Sequence, residues 1–161
     1  MTGLDRSRNF LELLEQQLFD DYGVARSPLL ESVVVNYLLT VVYSDLEQAI
    51  RAAIVGHSAA GPDARANAFI AVAVGRVLRS IKCAEIAGVL GMFDERCKKH
   101  FQEMVNDTPA QVAYDRIVSG RHQQAHSLGS DMTLADFKAD LTHCQVVLDA
   151  VGAAVRCQCE H

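Results

Sequence analysis

The residues of this chain best suited to chemistry sit together in one short stretch, Ser119 to Ser127, which reads SGRHQQAHS. Arg121 offers a planar fork of donors that matches phosphate oxygens. His122 and His126 titrate near neutrality and can carry a proton. Arginine and histidine together can cleave RNA without a metal. The imidazole handles the proton of the 2′-hydroxyl or of the leaving oxygen, and the guanidinium stabilises charge on a phosphorane-like transition state. Two other readings use the same residues. Cations at the end of a helix are favoured by the negative carbonyl end of its macrodipole, whatever else they do. His122 and His126, four apart, also share a helix face and suit two zinc ligands. Zinc needs at least a third ligand, from His143 or the C-terminal thiols, and Gln123 stands where an H-E-x-x-H motif has its glutamate.

Arg121 and His126 are five apart, about 140° around an ideal helix, and so point to different faces. They converge only if the helix end unwinds or if a second copy supplies another pair. Two chains meeting along this helix about a two-fold axis would place two arginines and two histidines in one cleft.

The elements that must hold the stretch are legible from their starts. Ser27-Pro28 places a cap before a proline at the first helical position, and Gly61-Pro62 repeats the signal. Thr108-Pro109-Ala110-Gln111 and Thr133-Leu134-Ala135-Asp136 carry capping-box patterns. Between these starts the apolar residues recur with helical period. Leu11, Leu14, Leu18 and Phe19 form a stripe on a first helix. A second helix is predicted from about Pro28 to Val55, with Val34, Leu38, Val41, Val42, Leu46 and Ile50 on its apolar face. A third covers about Asp63 to Ile81, and shorter ones follow near Ala84 to Met92 and Asp94 to Val105. The helix that carries the stretch runs from Pro109 to about His126, and a last one from Leu134 to about Val155. No Asn-Gly or Asp-Gly turn joins alternating runs, so strands are not expected. The expected architecture is all-α, one helical bundle over the whole chain, with a frayed tail at 156–161.

Composition bounds the rest. The chain has 161 residues, enough for one domain with a core that needs neither metal nor disulfide. The formal net charge of −5 weighs against a general nucleic-acid binder. The charge is uneven. From Arg76 to Lys99 six cations stand against three acids, a local excess of three. Within that segment Arg96, Lys98 and Lys99 are candidate contacts for an RNA backbone, or else a solvated helix face. Five cysteines, an odd number, read as thiols of a reducing compartment. Cys157-x-Cys159-x-His161 has the look of a small metal tract but not the usual zinc spacing. No signal peptide is visible, and the apolar run from Val33 to Val42, broken by Asn36 and Thr40, is too short to span a bilayer. A cytoplasmic protein without membrane contact, cofactor or resident metal is expected.

Arg121-x4-His126, in the form Arg-His-Gln-Gln-Ala-His-Ser, resembles the R-x(4–6)-H motif of HEPN domains, small helical bundles that carry it toward the end of their penultimate long helix. Tyr43-Ser44-Asp45-Leu46-Glu47 is similar to the aromatic and acidic stretch of the family's long early helix. Asp131 to Asp136, DMTLAD, is similar to the opening of its last helix. The resemblance spans roughly Leu29 to Val151 and is nearest the RiboL-PSP type of HEPN nuclease from bacterial conflict systems. It implies a metal-independent endoribonuclease acting as a homodimer on RNA, of a kind that serves as a toxin or defence effector, often beside a cognate antitoxin. Arg121 and His126 would be the catalytic pair and His122 a supporting residue. Glu47 would orient Arg121 or His126, or else be a solvated acid. One branch of the family has tyrosine two residues after the histidine, where this chain has Leu128, so regulation through that tyrosine is not implied. The alternative from another class is a HEPN-like interaction or nucleotide-binding module without turnover.

Overall fold

The structure is a computed structural model that describes residues 3–25, 27–58, 63–123 and 132–156. Within them lie α1 (Asp5–Glu15), α2 (Pro28–Ser58), α3 (Ala64–Val77), α4 (Cys83–Phe93), α5 (Glu95–Val105), α6 (Pro109–Gln123) and α7 (Leu134–Arg156), with no strand among the described residues. The protein is an all-α bundle. Short polar side chains start five of these seven α-helices, all but α1 and α4. Ser27 Oγ accepts from the Leu30 amide at 3.2 Å and opens α2. At α7 the capping box closes in both directions. Thr133 Oγ1 accepts from the Asp136 amide at 3.1 Å, and the Asp136 carboxylate accepts from the Thr133 amide at 3.3 Å. Hydrogen bonds from Thr133 hold the Asp136 carboxyl below its ordinary value.

Three boundaries differ from expectation. Gly61-Pro62, read as the start signal, lies outside the described residues, and α3 begins directly after Asp63. Asp63 caps it, its carboxylate accepting from the Arg65 amide at 2.9 Å and the Ala66 amide at 3.3 Å. The same helix stops at Val77 rather than Ile81, because Leu78 leaves helical space with φ −76° and ψ 81°. The stripe of Leu11, Leu14, Leu18 and Phe19 is not one α-helix. It passes from α1 into a π-helical turn over Gln16–Asp21. The Thr108 box is also shifted by one residue. Its hydroxyl accepts from the Gln111 amide, but Gln111 Oε1 reaches back to the amide of Asp107, which sits at φ 60° in the reversal between α5 and α6.

α2 and α7 form the centre. α2 packs on α1, α3, α6 and α7, α7 lies along α6 and α5, and α4 pairs with α5. Leu38, Val42, Leu46 and Ile50 of α2 are fully buried, as are Phe137, Cys144 and Val151 of α7. Each buried Leu, Ile or Phe contributes about 1.5–3 kcal/mol relative to exposure. By length and composition alone α2, from Pro28 to Gly56, would cross a membrane, which the shorter run read from the sequence did not suggest. Its residues from Leu38 to Ile54 supply the middle of the bundle, whereas Leu29, Val33 and Tyr37 of the same helix are exposed. The N-terminal helix is fastened to α2 by charge. Arg6 and Ser7 of α1 both bond the buried carboxylate of Asp45. The Phe10 and Tyr37 rings meet beside them at 5.5 Å.

Candidate active site at the crossing of α2 and α6

α6 can approach α2 closely because of Gly120. A Cβ at that position would stand 3.2 Å from a methyl of the fully buried Leu39. One residue further on, Arg121 reaches across α2. Its guanidinium lies over the ring of Tyr43, 5.3 Å from the centroid. Such a cation–π contact contributes about 0.5–1 kcal/mol at an exposed site. Arg121 is exposed, and no carboxylate pairs with it among the described residues. His122 follows in the same helical turn, but its side chain lies outside the described structure, and His126 lies outside the described residues.

Tyr43 faces two ways. The ring carries Arg121, while the hydroxyl meets the backbone amide of Ile81 in the segment 78–82 between α3 and α4. Burial raises its pKa, and the nearby Glu47 carboxylate raises it further. Arg121, the Ile81 amide and Arg51 pull the other way without reversing the shift. Tyr43 is therefore a neutral phenol at physiological pH and no base.

The rest of segment 78–82 is held from the same two helices. Arg51 Nη2 donates to the Leu78 carbonyl at 3.2 Å, and the buried Tyr114 hydroxyl of α6 donates to the Ile81 carbonyl at 2.6 Å. A non-helical backbone that enters a core must find such partners. This is why three polar side chains of α2 and α6 converge there. Behind Tyr114 the Cys83 thiol bonds Asp115, and Cys144 lies nearby. Burial pushes both thiols up to about 12, with Asp115 adding to the shift of Cys83. Burial likewise raises Asp115, against the opposing bond from Cys83.

Glu47 stands beside Tyr43, but its carboxylate is bonded to Arg51 of its own helix, at 2.7 and 3.2 Å, not to Arg121. The three cations considered for RNA contact lie on α5 with acids of their own segment. Arg96 sits on Asp94 at 3.0 Å, Lys98 on Glu95 at 2.7 Å, and Lys99 stands 4.0 Å from Glu103. His143 is exposed on α7, and no metal-binding cluster of His, Cys, Asp or Glu occurs among the described residues. Cys83, Cys97 and Cys144 are buried thiols outside any disulfide. Cys157, Cys159 and His161 lie outside the described residues.

A second polar contact on α6 was not read from the sequence. Arg116 Nη2 donates to Asp140 Oδ1 of α7 at 2.6 Å. Asp140 is only 2% exposed, and its other oxygen has no hydrogen-bond partner among the described residues. Burial raises its pKa, with Arg116 opposing. The sign in the sequence was an acid on the apolar face of α7, between Phe137 and Cys144. The arrangement as a whole offers an exposed guanidinium over the Tyr43 ring, with no carboxylate partner among the described residues, directly before the segment that carries His126. The chain matches no protein-family model, no curated protein and no solved structure.

Proposed function

We propose that the protein is a metal-independent endoribonuclease of the HEPN type, working as a homodimer. The observation that carries the reading is Arg121: exposed, seated on the Tyr43 ring, and without a carboxylate partner among the described residues. A guanidinium stacked on a ring, with no carboxylate partner among the described residues, suits the bidentate recognition of phosphate oxygens. In the reaction, His126 takes the proton of a ribose 2′-hydroxyl, whose oxygen attacks the adjacent phosphorus. The 5′-oxygen leaves with a proton from a second acid, which the partner subunit's His126 supplies. The products are a 2′,3′-cyclic phosphate and a 5′-hydroxyl. Arg121 stabilises the negative charge that grows on the non-bridging oxygens.

The test is cleavage of a labelled RNA in excess EDTA. His126→Ala should lower the rate by about 10²–10⁴, the usual worth of a positioned acid–base group. Arg121→Ala should cost about 10²–10³. Sedimentation of the same samples should show a dimer. RNA that stays intact with folded, dimeric wild-type protein would refute the nuclease and leave a binding module. Growth arrest on expression, relieved by His126→Ala, tests the toxin role separately.

A further inference from the structure

α3 is an apolar helix that the bundle barely covers. Of its fourteen residues only Val74 is buried. Phe69 is 73% exposed, and Val72 and Val77 are exposed beside it. On the neighbouring α4, Met92 is 71% exposed and Phe93 is open as well. Between the two helices runs an open groove of about 250 Å³, lined by Phe69, Ile70, Ala73, Val77, Val89 and Met92, among others. A contiguous apolar surface of this kind marks an interaction site in a folded protein.

The charges around the groove select the occupant. Arg65, Phe69, Val72 and Arg76 follow at i, i+4, i+7 and i+11 and so run down one edge of α3, with an arginine at each end. Arg79 and Lys82 continue the positive rim through segment 78–82. All four cations are exposed, and none pairs with a carboxylate among the described residues. Elsewhere the cations are largely spent: Arg6, Arg51, Arg96, Lys98, Arg116 and Lys138 each hold a carboxylate. The acids close to the groove are also engaged. Asp63 caps α3, Asp94 holds Arg96, Glu95 holds Lys98, and Asp115, bonded to Cys83, lies within electrostatic reach of Lys82, so the exposed Glu85 of α4 is set against three open arginines, Arg65, Arg76 and Arg79. In a chain of net charge −5, this apolar groove carries the opposite sign.

We propose that the α3–α4 groove is the docking site for an acidic amphipathic helix of a partner protein. Its apolar face would cover Phe69 and Met92, and its flanking glutamates or aspartates would meet Arg65, Arg76, Arg79 and Lys82. Helix-in-groove recognition of this kind uses apolar anchors one turn apart, with the rim charges setting partner choice and orientation. A second copy of this chain fits less well. Antiparallel pairing of two α3 helices would set Arg65 against the partner subunit's Arg76, like charge on like. The proposal does not depend on the nuclease reading.

The experiment uses the full chain and a fluorescent twenty-residue model peptide, helical, with leucine at i, i+3, i+4 and i+7 and glutamate on the flanks. A second peptide carries lysine in place of every glutamate. Anisotropy should show the acidic peptide binding at least tenfold tighter than the basic one, and more weakly as salt is raised. Phe69→Ser with Met92→Ser should weaken it at least tenfold. Arg76→Glu with Arg79→Glu should reverse the preference between the two peptides. All four positions are exposed, so melting curves of the variants should match wild type. Equal binding of the two peptides, no binding of either, or affinity that survives both pairs of substitutions overturns the proposal. So does groove-dependent binding to phosphatidylglycerol vesicles without peptide preference, or self-association that the same substitutions abolish. Those results would hand the groove to a lipid surface or to a second copy.

Discussion

Replacing Arg116 by methionine isolates the electrostatic part of the contact between α6 and α7, because the aliphatic stem is kept and only the guanidinium is lost. The structure sets the magnitude. The Asp140 carboxylate is buried, and Arg116 is its one ion-pair partner among the described residues, at 2.6 Å on Oδ1. Breaking a fully buried pair costs about 3–5 kcal/mol. Stripping one hydrogen bond from a buried acceptor costs about 1–3 kcal/mol. Arg116 is 53% exposed, so water screens one side of the pair and the lower range applies. A loss of about 2 kcal/mol at pH 7 follows, or a fall in Tm of roughly 4–8 °C for a chain of this size. The pH dependence gives the sharper check. Burial already raises the Asp140 pKa in the folded protein, and Arg116 holds the rise in check. Without the guanidinium the folded pKa climbs further while the unfolded value stays put. A raised acid favours the folded state below its unfolded pKa and loses that advantage as pH rises through the folded pKa. The gap between Arg116→Met and wild type should therefore close as pH falls from neutral toward the ordinary carboxylate range. Urea melts at pH 7 and pH 4.5 read it directly. Adding Asp140→Asn should shrink the pH dependence of the gap. A variant within about 0.5 kcal/mol of wild type at pH 7, or a loss of constant size across pH, would refute the argument.

Tyr114→Phe should cost about 1–3 kcal/mol in urea melts, because it leaves the Ile81 carbonyl without its 2.6 Å donor. An unchanged midpoint would mean that water replaces the phenol. Gly120→Val should push α6 away from Leu39, costing about 1–3 kcal/mol by overpacking and lowering RNA cleavage through a displaced Arg121. Full activity with unchanged stability would show that the close approach is not needed. With thiols raised to about 12, only about one Cys83 or Cys144 in ten thousand is ionised at pH 8. Iodoacetamide followed by mass spectrometry should find both unmodified in the folded protein and alkylated in guanidinium chloride, and labelling before unfolding would count against their burial.

What the sequence revealed was mostly short-range. Ser27 and Thr133 are caps whose partners lie three residues away, so type and spacing were enough to find them. The pairing of Glu47 with Arg51 was equally local, an i, i+4 couple, and could have been weighed against a role at Arg121. The same holds for the acids beside Arg96, Lys98 and Lys99. The end of α3 was of another kind. Nothing between Val77 and Lys82 breaks a helical pattern, and the turn is held by Tyr43, Arg51 and Tyr114, which are distant in sequence. Placing Tyr43 under Arg121 likewise needs the crossing of α2 and α6, which no local pattern encodes. His126 is the part of the candidate site on which the described residues are silent.

Tyr43 also constrains how this sequence can drift. Phenylalanine there would keep the platform under Arg121 and lose the hydroxyl that meets Ile81. A polar aliphatic residue would lose the platform, and without a ring's reach it would lose the tie as well. A position that serves two neighbours through opposite ends of one side chain admits fewer exchanges than two positions with one duty each. Among homologues of this chain, tyrosine at that place should outlast the aliphatic residues that surround it.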